Sequence, residues 1–118
     1  MSRSSTTTEP DYVPGDFSNF VAPACHPGEH LREDFLADYE LTPTALAQAM
    51  GLPDASPLQA LLDERSDMTA DLALRLGKVF GTTAQLWMGL QAAHDLSKAA
   101  IAKRDELARI RPLSAEAA

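Results

Sequence analysis

Residues 41–62, LTPTALAQAMGLPDASPLQALL, decide the fold of this 118-residue chain. Near the start of this stretch, the Thr42 hydroxyl can cap a helix, and Pro43 fits the first helical turn, where its missing N–H costs nothing. Gly51 is suited to the left-handed residue that ends a helix. Between them, apolar residues recur at helical spacing: Leu46, Ala47 and Met50. The pattern predicts a short helix over Pro43–Met50.

The second half of the stretch repeats the same starting signal. Ser56 offers a second capping hydroxyl and Pro57 a second first-turn proline, so a helix is expected over Pro57–Glu64. Its inward residues are Leu58, Leu61 and Leu62. Two short helices joined by a tight glycine-containing turn are typical of a helix-turn-helix unit.

Helical patterns continue on both sides of this pair, and no five residues alternate in polarity as a strand would. A helix should begin near Pro27 and bury Leu31, Phe35 and Leu36. Thr69 should cap a fourth helix that Gly81 ends, and Thr82 or Thr83 a fifth. The core faces of these last two helices are expected to be Leu72, Ala73, Leu76, Val79 and Phe80, then Leu86, Trp87, Leu90 and Ala93. The fold class is therefore all-α, with five helices.

The chain divides into three segments by composition. Residues 1–25 are rich in Ser, Thr and Pro and are expected to form a flexible N-terminal arm, residues 26–95 the helical domain, and residues 96–118 a basic helix and tail. The arm carries apolar residues that either pack on the domain edge or become ordered on a partner. The partner-binding candidates among them are Tyr12, Phe17 and Phe20.

Composition excludes several classes of protein. The net charge of −7 and the pI of about 4.7 exclude a generic polycation that coats nucleic acid or anionic lipid. A single cysteine, Cys25, excludes an intramolecular disulfide framework and a cysteine-cluster zinc site. No apolar run approaches the roughly 18 residues of a membrane span, and the N-terminus lacks a secretory pattern. We therefore expect a cytoplasmic protein that does not bind membranes.

Three quoted segments together are more specific than the helix pair alone. In order, PGEHLREDFL (27–36), LTPTALAQAMGL (41–52) and MTADLALRLGKVFGTTAQLWMGLQAAHDL (68–96) resemble the HigA-type antitoxins, a branch of the Cro/repressor-like helix-turn-helix family. The resemblance spans about residues 26–100. It implies a lambda-repressor-like domain that binds a small, basic ribonuclease toxin and represses its own promoter by binding an operator in double-stranded DNA, usually as a homodimer.

The resemblance also implies which residues contact DNA. Thr42, Thr44 and Gln48 match positions that often touch the phosphate backbone in this family. On the expected recognition helix, Gln59 could make a bidentate contact to adenine, and Ser56 could reach a base edge or a phosphate. Arg65, the single basic residue of that region, completes the candidate set.

Charge argues against strong DNA binding, because DNA affinity comes largely from Lys and Arg that neutralise phosphates. Residues 29–95 hold four basic and eleven acidic residues, a net charge of −7. The alternative function is therefore an acidic helix-turn-helix protein that acts mainly through protein contacts, with weak or no DNA binding. Five basic residues lie instead within residues 98–111, which carry a net charge of +3. They form a solvated face, a phosphate-contacting arm, or a belt that pairs with an acidic core in a dimer.

Nothing in the sequence indicates an enzyme, a metal site or a cofactor. His26 and His30 are four residues apart, but Pro27 and Gly28 lie between them, so His26 is expected in a loop and His30 on a helix surface. Cys25 beside His26 is a poor nucleophile–base pair, because sequence neighbours rarely face each other. The only tryptophan, Trp87, is expected in the core or in a dimer seam, for which residues 86–90 and 96–110 are the candidates.

Overall fold

The structure is a computed structural model that describes residues 21–113. Within that range the backbone forms six helices and no strand, which confirms the all-α prediction. We number them α1 (27–39), α2 (Pro43–Ala49), α3 (Ser56–Leu62), α4 (Ala70–Phe80), α5 (Ala84–Ala102) and α6 (Arg104–Ala108). The partner-binding candidates Tyr12, Phe17 and Phe20 lie outside the described residues.

Helix α1 begins where the sequence predicts, but it is not a uniform α-helix. It is α-helical over Pro27–His30, π-helical over Leu31–Leu36 and α-helical again over Ala37–Tyr39. The His26 imidazole caps its start, since Nδ1 accepts a hydrogen bond from the Gly28 N–H at 2.9 Å. The expected apolar stripe faces the core: Leu31 and Leu36 are buried and Phe35 is partly buried.

Helix α2 follows its sequence signals closely. The Thr42 hydroxyl accepts from the Ala45 N–H at 3.1 Å, and Gly51 adopts a φ of 74° after the last turn. The prediction for α3 is wrong at its first residue. Ala55, with no side-chain cap, precedes the helix, and Ser56 is its first helical residue. The Asp54 carboxylate accepts from the Ser56 N–H at 2.8 Å, so the aspartate performs the role expected of the serine.

Helices α4 and α5 form the largest helix–helix contact of the described chain. Thr69 caps α4 and Gly81 ends it, as predicted. Thr83 caps α5, whereas the Thr82 hydroxyl accepts from the Trp87 indole N–H at 2.8 Å. Helix α5 is continuous from Ala84 to Ala102, across the expected domain boundary at residue 95.

The inward face of α5 differs from the prediction. Trp87 is fully buried in the core, as expected, but Leu86 is 42% exposed. Two polar residues, Gln91 and Ser97, are buried on this face instead. Each finds hydrogen bonds from distant parts of the chain: Gln91 Oε1 accepts from the Met68 N–H at 2.7 Å, and Ser97 Oγ accepts from the Ala24 N–H at 2.8 Å.

A very close approach fixes α1 against α3. Gly28 is buried, and a Cβ at this position would lie 2.0 Å from the Leu61 carbonyl oxygen. Only glycine allows the two backbones to come this near. One continuous core lies beneath these helices and holds α3 from behind: Leu31, Leu36, Leu46, Ala47, Met50, Leu58, Leu61, Leu62, Met68, Leu72, Ala73, Leu76 and Trp87.

Candidate nucleic-acid interface

Helices α2 and α3 turn their polar residues to the surface while their leucines face the core. Of the six DNA-contact candidates, five are exposed and Gln59 is partly buried: Thr42, Thr44, Gln48, Ser56 and Arg65 make up the exposed five. The cause is the helical period, since the apolar residues of each short helix occupy one side and leave the other to solvent.

The α2 candidates are neutral groups. The Thr42 oxygen accepts a capping hydrogen bond, and its O–H can still donate outward. Thr44 and Gln48 line one shallow depression of about 290 Å³, together with Asp54 from the turn that follows. Hydroxyl and amide donors of this kind can position a phosphate backbone without adding positive charge.

The Asp54 carboxylate already occupies the N-terminus of α3, where it accepts from the Ser56 N–H. The hydrogen bonds that Asp54 accepts from the Ser56 N–H and hydroxyl lower the pKa of this carboxyl below its ordinary value of 3.8. A helix N-terminus favours negative charge, and here the protein supplies that charge itself. Ser56 therefore reaches a base edge or a phosphate only beside a carboxylate.

The other two α3 candidates share one carboxylate at the opposite end of the helix. Gln59 Nε2 donates to Asp63 Oδ1 at 3.0 Å, and Arg65 Nη2 lies 3.3 Å from Asp63 Oδ2. Each carboxylate oxygen thus holds one donor. The sequence shows the excess of acid in this region, but not that a single aspartate contacts both the candidate base-reading amide and the candidate phosphate-binding guanidinium.

Two arginines of the helical domain have roles that the sequence did not indicate. Arg32 donates to the Leu62 carbonyl at 2.5 Å and pairs with Glu64 at 3.2 Å, at the end of α3. Arg75 donates to the Met50 carbonyl at 2.9 Å, at the end of α2. Cations are favourable at helix C-termini, where carbonyls lack intrahelical partners. Both arginines therefore brace the helix pair from its C-terminal ends.

The basic residues of the C-terminal segment are exposed on α5, α6 and the residues that follow: Lys98, Lys103, Arg104, Arg109 and Arg111. Lys103, which lies between α5 and α6, pairs with Glu106 of α6 at 3.6 Å. This arrangement leaves positive charge at the surface of α5 and α6, which are distant from α2 and α3 along the chain. It is compatible with a solvated face as well as with a phosphate-contacting one.

The histidines have structural roles. His26 precedes α1, as expected, but it is buried, and its ring packs edge-on against His94 with a centroid distance of 5.1 Å. His94 Nδ1 lies 2.7 Å from the Ala24 carbonyl oxygen, so it is the donor of that hydrogen bond. His30 lies partly buried on α1 beside Asp34. These contacts fasten residues 24–26 onto α5.

Residues 21–113 contain no group of three or more His, Cys, Asp or Glu side chains arranged to hold a metal ion. No helix in the same range combines the length and apolar character needed to cross a bilayer.

Curated proteins similar to this chain include helix-turn-helix transcriptional regulators and an antitoxin. Virulence-associated protein I of Dichelobacter nodosus is 42% identical over 95 residues, which are 80% of this chain and 86% of that protein. Antitoxin HigA-1 of Vibrio cholerae is 31% identical and matches 73% of this chain and 80% of its own length. No protein-family model matches the chain. The relatives named as regulators and antitoxins do not have enzyme names.

Solved structures agree with the curated relatives. The Pseudomonas aeruginosa antitoxin HigA, determined with the higBA promoter, is 38% identical with a TM-score of 0.70, and the match covers 77% of this chain and 99% of that one. The antitoxin GraA in complex with its operator is also 38% identical with a TM-score of 0.70, over 77% of this chain and 92% of that one. The helix arrangement described above is therefore that of the HigA-type antitoxins.

Proposed function

The chain belongs to the HigA-type antitoxins of the helix-turn-helix family, and on that premise we propose that it is a DNA-binding autorepressor that also neutralises a toxin. The observation that carries the DNA half is the exposed polar surface of α2 and α3, on a fold that relatives use to bind their operators. Two-fold operators are read by two-fold proteins, so the binding species in this proposal is a homodimer.

In the proposed complex, α3 enters the major groove and α2 crosses the backbone, as in other helix-turn-helix proteins. Thr42, Thr44 and Gln48 donate to phosphates and set the register, while Ser56 and Gln59 reach base edges. Arg65 neutralises a phosphate after it leaves Asp63. Because the core has a net charge of −7, exposed lysines and arginines of residues 98–111 supply part of the positive charge that DNA binding requires.

The toxin half of the proposal rests on charge and on the family. Ribonucleases must attract phosphates, so a small basic ribonuclease is complementary to a core with eleven acidic residues between positions 29 and 95. In this proposal the arm residues Tyr12, Phe17 and Phe20 contact the toxin as the arm becomes ordered on it.

A mobility-shift titration tests the DNA half. The probe is the duplex directly upstream of the chain's own reading frame, and a shuffled duplex of equal length and composition is the control. We expect a specific shift at low salt that weakens steeply as salt rises. Gln59→Ala should reduce discrimination between the two duplexes, whereas Thr44→Ala should weaken binding to both. No shift of either duplex at low salt would contradict autorepression.

Co-expression tests the toxin half independently of DNA. The neighbouring small basic reading frame is expressed alone and then together with this chain. We expect growth arrest in the first case, relief in the second, and co-purification of the two proteins. Removing residues 1–20 should weaken the complex if the arm contacts the toxin. Growth arrest that this chain does not relieve would contradict the antitoxin role.

A second candidate function is favoured by one specific observation. Arg32, Arg65 and Arg75 all contact carboxylates or carbonyls of this chain rather than solvent alone. An acidic helix-turn-helix protein that acts through protein contacts would show this pattern. It predicts toxin binding of ordinary strength together with DNA binding that does not distinguish the upstream duplex from the shuffled one.

A further inference from the structure

We propose that Asp63 gates the recognition helix: its carboxylate competes with DNA for Gln59 and Arg65 and so sets both the affinity and the base selectivity of operator binding. This inference rests on the proposed DNA-binding function. The Asp63 carboxylate cannot itself donate a hydrogen bond to DNA, so it acts on DNA binding through Gln59 and Arg65. We call the pair of contacts that Asp63 makes with Gln59 and Arg65 the Asp63 bridge.

The bridge uses both oxygens of one carboxylate. Oδ1 accepts from Gln59 Nε2 at 3.0 Å, and Oδ2 lies 3.3 Å from Arg65 Nη2. Gln59 needs this same Nε2 to read adenine, because the bidentate contact donates from the amide nitrogen and accepts at the amide oxygen. Arg65 likewise needs a free guanidinium edge to bind a phosphate. DNA must therefore break both contacts or leave both donors unused.

The position of Asp63 is difficult to explain by helix stability alone. It directly follows α3, and its backbone N–H donates to the Gln59 carbonyl at 2.9 Å as the helix closes. A carboxylate at a helix C-terminus is unfavourable, because the unpaired carbonyls already carry negative charge there. The nearest cation, Arg65, is 65% exposed, so its pairing with Asp63 contributes little to folding.

The expected size of the effect follows from the exposed setting. Breaking each contact reduces operator affinity by about a factor of two, which is usual for exposed pairs. A carboxylate about 6 Å from a phosphate adds about threefold repulsion in water. Releasing Gln59 and Arg65 should therefore tighten operator binding about tenfold. Freeing Arg65 for a phosphate should also steepen the dependence of log K on log salt by about one unit.

The test compares Asp63→Ala, which removes both acceptor oxygens, with Asp63→Asn, which removes the charge and retains one acceptor. Asp38→Asn on α1 is the matched control, since it removes the same charge from another exposed helix position, outside residues 98–111. Fluorescence anisotropy gives the dissociation constant of the full chain on its upstream duplex over a range of salt. The same titration on duplexes with single base-pair changes gives selectivity, which a purely structural role for Asp63 would not change.

We expect Asp63→Ala to bind about tenfold more tightly, with the steeper salt slope, and to discriminate more sharply at the base pair that Gln59 reads. The added substitution Arg65→Ala should abolish the change in slope, and Asp38→Asn should change the affinity less than twofold. Binding by Asp63→Ala but not by the unaltered chain would support the gate as well.

Two results would overturn the inference in distinguishable ways. If the unaltered chain binds its operator and the Asp63 variants differ from it no more than Asp38→Asn does, the gate is wrong and the DNA-binding function stands. If neither the unaltered chain nor any Asp63 variant binds at low salt, both the gate and the DNA-binding function are wrong.

Discussion

Two glutamates occupy the left-handed backbone region where helices usually end on glycine. Glu40 follows α1 with a φ of 53°, and Glu64 follows α3 with a φ of 62°. In both cases the next residue donates back to the helix: Leu41 N–H to the Leu36 carbonyl at 3.0 Å, and Arg65 N–H to the Ala60 carbonyl at 2.9 Å. Both helices thus end with the hydrogen bonds usual for a glycine, although a glutamate with a Cβ occupies the left-handed position.

Glu40→Gly should therefore raise the free energy of unfolding. A non-glycine residue in this conformation costs about 1–2 kcal/mol, and the greater freedom of glycine in the unfolded chain offsets about 0.5–1 kcal/mol of the gain. We expect a net increase of about 0.5–1 kcal/mol in urea denaturation. Ala37→Gly, three residues earlier in the helical region, is the matched control and should lose about 1 kcal/mol. A loss of stability in Glu40→Gly would contradict the strained backbone.

At the residue scale, the sequence predicts the contacts that a side chain makes with its own neighbours. Thr42 and Thr69 cap the helices expected of them because the amide they satisfy is three residues away. Ser56 has the same signal, but Asp54, two residues earlier, reaches the helix start first. Gln91 and Ser97 were not predictable as buried, since their partners, Met68 and Ala24, are more than twenty residues distant in sequence.

The stability of the protein depends on pH through Asp54, which caps the start of α3. Because the Ser56 N–H and hydroxyl lower the pKa of Asp54 in the folded protein, ionised Asp54 stabilises the fold above the ordinary pKa of 3.8. That contribution disappears as pH falls through the lowered pKa. Asp54→Asn should therefore be less stable than the unaltered chain near neutral pH, and the difference should shrink to nothing as the carboxyl is protonated.

Urea denaturation of both proteins from about pH 6 to about pH 2.5 measures this difference. Asp38→Asn, an exposed substitution on α1, serves as the charge-matched control. An Asp54→Asn difference that stays constant over the whole range would contradict an ionised helix cap.

The packing of α1 against α3 leads to a prediction about the helix pair as a unit. Gly28→Ala places a methyl group 2.0 Å from the Leu61 carbonyl oxygen, so the two helices must separate. We expect a loss of about 3 kcal/mol of stability and, because α3 is displaced, weaker operator binding. Gly89→Ala on α5 is the control: nothing lies within 4 Å of its added Cβ, and helical alanine should stabilise by up to about 1 kcal/mol. Equal stability of the two variants would show that α1 and α3 are farther apart than the structure places them.

The elements themselves were largely predictable, and their irregularities were not. Proline and glycine signals placed the ends of α2 and α4 because these residues restrict the backbone locally. The π-helical turn over Leu31–Leu36 has no signal of its own in the sequence. Phe35 lies there, with its ring centroid 4.9 Å from that of Trp87.

At the scale of the whole molecule, acidic and basic residues are separated along the chain. The acidic residues dominate positions 29–95, while the basic ones concentrate after position 97. The same C-terminal region presents large apolar side chains to solvent: Leu96 is 52% exposed, Leu107 49% and Ile110 68%. Leu96 lies on α5, Leu107 on α6 and Ile110 shortly after it, and we call these three exposed residues the apolar stripe.

A second copy of the chain is the simplest cover for this stripe, because a two-fold interface buries the same patch on both partners. We expect sedimentation equilibrium to give twice the 12.7 kDa chain mass. The double variant Leu107→Glu/Ile110→Glu should sediment as a monomer and lose operator affinity, since one recognition helix reads only half of a two-fold site. Its helix content should not change, because both side chains are exposed in the single chain.

Leu74→Glu is the matched control for this experiment, since Leu74 is 62% exposed but lies on α4, outside the stripe. It should remain dimeric and bind the operator normally. A dimer that survives the Leu107→Glu/Ile110→Glu variant but not Leu74→Glu would move the interface from α5 and α6 to α4. A monomer at every concentration of the unaltered chain would instead leave the apolar stripe to a partner of another sequence, and the toxin would then be its expected occupant.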